Sequence, residues 1–76
     1  MTAPPPWVEA WCRAAVGRSL IRETDEQSRL LGVAELLHVP ARFAGDLPEL
    51  AKLCREEAER TLRELGYADE AEGLRR

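Results

Sequence analysis

Residues able to do chemistry are scarce in this chain. Histidine occurs once, at His38, so general-base catalysis has to run through that ring or through a carboxylate. No serine or cysteine is paired with it by spacing, which leaves a nucleophilic triad unsupported. The five glycines, Gly17, Gly32, Gly45, Gly66 and Gly73, stand singly, so no phosphate-cradling loop is present. There are two cysteines, Cys12 and Cys54, in no CxxC spacing. They read as two small buried hydrophobes in a reducing compartment, with a disulfide between the first and last segments as the alternative. A tetrahedral metal site from Cys12, His38, Cys54 and a carboxylate has suitable ligand types, but it requires three segments to converge with no local ligand pair to anchor it. The sequence therefore predicts no catalytic residues, no metal, no cofactor and no small-molecule ligand.

Long apolar runs are missing as well. The longest stretch without a charge is the first eight residues, against the eighteen or so that span a bilayer. "MTAPPPWVEAWCRAAVG" has no basic start, and Glu9 and Arg13 interrupt its apolar part, which argues against a secretory signal. These features predict a cytoplasmic protein with no membrane partner. Charge of one sign is not concentrated anywhere: residues 1–38 carry four arginines against five acids, and residues 39–76 carry seven basic groups against nine acids. Because nucleic-acid affinity comes largely from Lys and Arg displacing phosphate counterions, a formal net charge of -3 spread evenly argues against that partner.

What is present is helix. At 76 residues, 45% hydrophobic and 33% charged, the chain holds a single domain with a modest core, and self-association is one way to add buried area. Pro4, Pro5 and Pro6 form a lead at residues 1–6 that suits the first turn of a helix, where an amide hydrogen lacks a partner anyway. Trp7, Val8, Trp11, Cys12, Ala15, Val16 and Ser19 then recur at three- and four-residue steps and predict a helix over about 7–22. Gly17 weakens it by about 1 kcal/mol relative to Ala.

Thr24 with Gln27 has the form of a capping box for a second helix over about 25–38, with Gln27, Leu30, Leu31, Ala34, Leu37 and His38 along one face. One long helix over 7–38 is the alternative. Pro40 disfavours helical geometry at Val39 and predicts an end there, with "VPARFAGD" as a loop and His38 at the negative pole of the helix. Asp46 with Glu49 is a second capping box and opens a third helix over about 47–65. Along it, Leu47, Leu50, Ala51, Cys54, Ala58, Thr61, Leu62 and Leu65 make an unbroken apolar stripe opposite Lys52, Glu56, Glu59, Arg60 and Arg63. Gly66 supplies a left-handed stop on which Tyr67 packs back. The tail, 66–76, has room for a short helix around 68–72.

The stretch from Leu50 onward resembles helix-turn-helix proteins: "LAKL" is similar to the start of their first helix, and "ERTLREL" to a recognition helix with Leu62 and Leu65 turned inward. That resemblance implies a duplex-DNA regulator bent near Arg55. Against it, Arg55, Glu56 and Glu57 occupy the positions of the turn and all favour helix continuation, and Glu57 and Glu59 would face phosphates with the wrong charge. "LRELGYADEAEGL" resembles part of a tetratricopeptide hairpin, but stacked repeats need a period and this chain has none.

The expectation is an all-α fold, a small three-helix bundle with room for a short fourth C-terminal helix. Its expected core is Leu30, Leu31, Ala34, Leu37, Leu50, Cys54, Ala58, Leu62 and Leu65. "PPPWVEAW" is the feature least like core filling: two of four aromatic residues sit one helical turn apart beside a rigid proline run. Tryptophan offers large area and an indole donor, so Trp7, Val8 and Trp11 are the candidate anchors for a protein partner or a second copy. The alternative is that the two indoles are the centre of the core. The functional expectation is a non-enzymatic interaction or assembly module, acting as a homo-oligomer or a small accessory subunit. A DNA-binding regulator and a subunit lending an acid or His38 to a shared active site are the alternatives.

Overall fold

The computed structural model describes residues 4–75, so the first three residues of the proline-rich lead and the last residue of the tail lie outside the described residues. Four helices follow in order: α1 (Pro6–Leu20), α2 (Glu26–Phe43), α3 (Pro48–Glu64) and α4 (Ala68–Gly73). The fold is all-α, a small helical bundle with the short fourth helix formed. α2 is the central element, packed against α1 on one flank and α3 on the other, and α4 packs on α3. Antiparallel neighbours make α1 and α3 run in the same direction along the two sides of α2.

α1 begins as its prolines dictate, with Pro6 in the first turn and Val8 N–H donating to the Pro5 carbonyl at 3.0 Å. It buries Ala10, Ala14 and Gly17, not the large residues. The reason is at the α1–α2 crossing, where Gly17 faces Gly32 and the backbones approach too closely for bulk: a Cβ on Gly32 would lie 2.8 Å from the Gly17 carbonyl oxygen. Small residues line the contact, and the tryptophans are turned away from it.

The chain leaves helix between Ile21 and Asp25, so residues 7–38 are two helices. The cap of α2 is Asp25, whose carboxylate accepts from Ser28 N–H at 2.9 Å, one residue after the expected Thr24. α2 also runs five residues past the expected end at His38. Pro40 removes one helical hydrogen bond and crowds Val39, yet the helix continues because Val39 and Phe43 are both buried in the core. Burying side chains of that size contributes about 1.5–3 kcal/mol each, enough to offset the proline. The buried face of α2 is consequently Gly32, Val33, Leu36, Val39 and Phe43, whereas Leu31 and Ala34, expected in the core, are exposed and Leu30 and Leu37 are half-buried.

The Asp46–Glu49 capping box is not formed. Leu47 is the residue before α3, held outside the helical region at φ -133° and ψ 65°, because the residue preceding Pro48 is disfavoured there. The turn is closed instead by Leu47 N–H donating to the Phe43 carbonyl at 2.8 Å. From Pro48 to Glu64, α3 is continuous, and the bend near Arg55 implied by the helix-turn-helix resemblance is absent. Leu50, Ala51, Cys54, Ala58, Thr61 and Leu62 are buried along it, and Leu65 is half-buried. Thr61 satisfies its hydroxyl by donating to the Glu57 carbonyl at 2.9 Å.

Gly66, at φ +95°, ends α3, with Tyr67 N–H donating to the Leu62 carbonyl at 2.8 Å and Gly66 N–H to the Arg63 carbonyl at 3.1 Å. Tyr67 then reaches back, its hydroxyl donating to Glu26 at 3.0 Å. α4 is fastened by fully buried Ala71, by Arg63 to Glu72 at 2.9 Å, and by Arg75 to Glu59 at 2.6 Å. Burial pushes the Glu59 carboxyl up, but hydrogen bonds from Arg75 and Arg63 outweigh it and leave its pKa below the ordinary value.

Candidate interaction groove

Along the side of the molecule where α1 and α3 run in parallel, three shallow depressions join end to end. The first, about 310 Å³, is lined by Pro6, Trp7, Phe43, Asp46 and Leu47. The second, about 260 Å³ and largely apolar in surface, shares Asp46 and Leu47 with the first and adds Trp11, Pro48, Glu49, Leu50 and Leu53. The third, about 400 Å³, shares Leu53 and is otherwise charged, with Arg18, Arg22, Glu56, Glu57 and Arg60. Together they form one groove whose floor at the aromatic end is the turn between α2 and α3.

Each wall follows from local structure. Pro6 fixes the start of α1, and the four-residue step from Trp7 to Trp11 places both indoles on the α3 side of that helix. Both are 53% exposed, so they stand at the rim and not at the centre of the core. Val8, the third candidate anchor, is half-buried and does not line any of the three depressions. On the opposite wall Leu53, 48% exposed, is the one leucine of α3 off the buried stripe. Its departure from the stripe was the signal in the sequence that α3 carries a second apolar surface. Leu47, Pro48 and Phe43 also line the groove, and reading 39–46 as a featureless loop hid Phe43.

Among the described residues one ion pair bridges α1 and α3 across the groove, where Arg18 donates to Glu57 at 2.8 Å. That hydrogen bond, with the charge of Glu57, raises the Arg18 pKa above its ordinary value. Arg13 ties α1 to α2 through Glu35 at 3.2 Å, on the side away from the groove.

His38 lies in the body of α2, not at its end, so it does not cap the helix. Its Nε2 is buried without a hydrogen-bond partner and is 3.7 Å from Glu9, a carboxylate also approached by Arg13 and Arg42. Cys12 is exposed on α1 and Cys54 is buried in α3; both are free thiols, so neither the disulfide nor a buried pair is formed. Burial, with the nearby Glu57 charge, pushes the Cys54 thiol pKa up. Among the described residues no three metal-ligating groups converge, and no helix is long and apolar enough to cross a membrane. Comparison with protein families, curated proteins and solved structures finds no match.

Proposed function

We propose that this protein is a non-enzymatic interaction module that assembles through the groove between α1 and α3, as a homo-oligomer or as a small accessory subunit of a larger complex. The observation that carries this reading is the clustering of exposed apolar bulk: Trp7, Trp11 and Leu53, each about half exposed, converge on one continuous groove. A large indole held at a rim, beside a proline-fixed helix start, is the type of side chain that supplies most of the energy at protein interfaces. Trp7 and Trp11 are the principal anchors, with Val8 behind them.

Two free thiols suit a reducing compartment, and we place the protein in the cytoplasm. Nucleic acid is a poor fit to a groove in which Asp46, Glu49, Glu56 and Glu57 outnumber Arg18, Arg22 and Arg60.

Trp11→Ala and Trp7→Ala test the reading, with sedimentation mass and capture of partners from the native host as readouts and helical circular dichroism as the folding control. Loss of assembly or capture in a folded variant is the expected result. A folded Trp11→Ala protein that keeps both its mass and its partners removes the assignment of anchors.

A further inference from the structure

The two ends of the groove carry opposite charge. Asp46 and Glu49 flank the aromatic end, and Arg22 and Arg60 line the other beside Glu56 and the Arg18–Glu57 pair, a net positive end about 16 Å further along α3. Among the described residues Asp46, Glu49, Arg22, Arg60 and Glu56 make no ion pair, although Arg13, Arg18, Arg29, Arg42, Arg63 and Arg75 all do. Leu53 sits in the middle and belongs to both adjoining depressions. Asp46 lies seven residues before it and Arg60 seven after it.

An occupant that satisfies this surface has apolar bulk at its centre, cations where the groove has acids, and acids where the groove has cations. A uniformly basic helix suits the first end and is repelled at the second; an acidic one does the reverse. The groove itself, turned through a half rotation, meets the requirement at both ends. Resting on the interaction reading above, we propose that the groove is filled by a second copy of this chain, seated antiparallel about a two-fold axis that crosses it at Leu53.

The register follows from the fold. Trp11 lines the groove beside Leu50 and Leu53, and Arg18 bonds Glu57, so α1 and α3 advance together and Trp7 stands level with Asp46, as Arg22 does with Arg60. Half rotation about Leu53 carries Arg60 of one copy to Asp46 of the other, and Arg22 to the face of Trp7, where a guanidinium is favoured over an indole. The one pairing of like sign sets Glu49 against Glu57, four residues either side of Leu53, and Arg18 already neutralises Glu57. Each contact occurs twice, as a two-fold interface requires, so small pairwise gains are doubled.

Charge reversal tests the seating, and both positions are exposed, so the fold is not at stake. Sedimentation equilibrium from about 1 to 100 μM chain should show a monomer–dimer equilibrium for the native sequence. Asp46→Arg and Arg60→Asp should each weaken the dimer by about tenfold or more, since like charges then face each other twice. The double variant, and an equimolar mixture of the two single variants, should both restore it, because in each case every facing pair is again of opposite sign. A native chain that stays monomeric at the highest concentration overturns the second copy as occupant, while the Trp11→Ala capture experiment judges the interaction reading separately. A dimer that ignores the single reversals, or that neither the double variant nor the mixture restores, overturns the antiparallel seating.

Discussion

Gly17 and Gly32 meet where α1 crosses α2, with the carbonyl oxygen of each within 3.0 Å of the place a Cβ would occupy on the other. A methyl group at Gly32 would also lie 2.8 Å from the Ile21 amide nitrogen, and one at Gly17 would lie 2.7 Å from Cγ of Leu36, which is fully buried and has no room to swing aside. Alanine is the better helix former by about 1 kcal/mol, so an unobstructed glycine-to-alanine change in a helix stabilises. Here the overlap outweighs that gain. Gly32→Ala, which strikes backbone, is expected to cost about 1–3 kcal/mol in urea unfolding, and Gly17→Ala somewhat less. Gly45, with open space around its Cα, is the control, and Gly45→Ala should be neutral or slightly stabilising. Equal effects at Gly32 and Gly45 would contradict the crossing.

The same crossing explains which parts of the fold were legible in the sequence. α3 was readable because its apolar stripe, from Leu50 through Leu62, is set against a charged face, and every step of it is buried or nearly so. On α1 apolar residues occupy more than one side, and the stripe that shows the helical period, Trp7, Trp11, Cys12, Ala15 and Val16, is the exposed one, while the side packed on α2 holds Ala10, Ala14 and Gly17. On α2 the error came from Pro40. Ending the helix at His38 left Phe43 in a loop, and without Phe43 the true stripe, Gly32, Leu36, Val39, Phe43, loses its last and largest member. A local rule about proline was overridden by tertiary burial, a contribution no single-residue preference contains. The groove was half legible for a related reason. Trp7 and Trp11 stood out as unusual by themselves, but Leu47 and Leu53 become their neighbours only once α1 and α3 lie parallel.

The two thiols should separate cleanly by reactivity. Cys12 is exposed, whereas Cys54 is 1% exposed and burial holds its thiol in the protonated, unreactive form. A charged disulfide reagent added to the native protein is expected to titrate one thiol rapidly, and Cys12→Ser should abolish that phase. The second thiol should react only as fast as the protein opens, and therefore should accelerate with urea. Two thiols reacting at one rate in the absence of denaturant would show that Cys54 is not packed in α3 as described.

Asp25 gives the stability a pH dependence of defined sign. Its hydrogen bond from the Ser28 backbone lowers its carboxyl pKa below the ordinary value, so the folded state favours the charged form. The stabilisation is therefore complete above the unfolded pKa, about 3.9, and is lost as pH falls through the still lower folded value. Asp25→Asn keeps a capping acceptor but removes the titration. The native protein should have the higher Tm at pH 7, and the difference from the variant should close on acidification below about pH 4. A gap that stays constant down to pH 2 would mean that the carboxylate charge at the start of α2 contributes nothing.

The indoles report directly on whether the groove is open. With each tryptophan about half exposed, both indoles of a dilute monomer should emit like solvated indole and be quenched efficiently by acrylamide, and Trp7→Phe and Trp11→Phe should each leave one such fluorophore. An occupant seated in the groove removes water from both at once, so quenching should fall and emission should move to the blue as the partner is added or the chain concentration rises. Arg22 is the far-end residue brought closest to an indole by half rotation, so Arg22→Ala should weaken this concentration-dependent change without altering the dilute spectrum. If the dilute protein already resists quenching, the indoles are the centre of the core and not the rim of a groove. The assembly surface would then have to be sought at Val16 or Leu31, the large exposed apolar side chains outside it among the described residues.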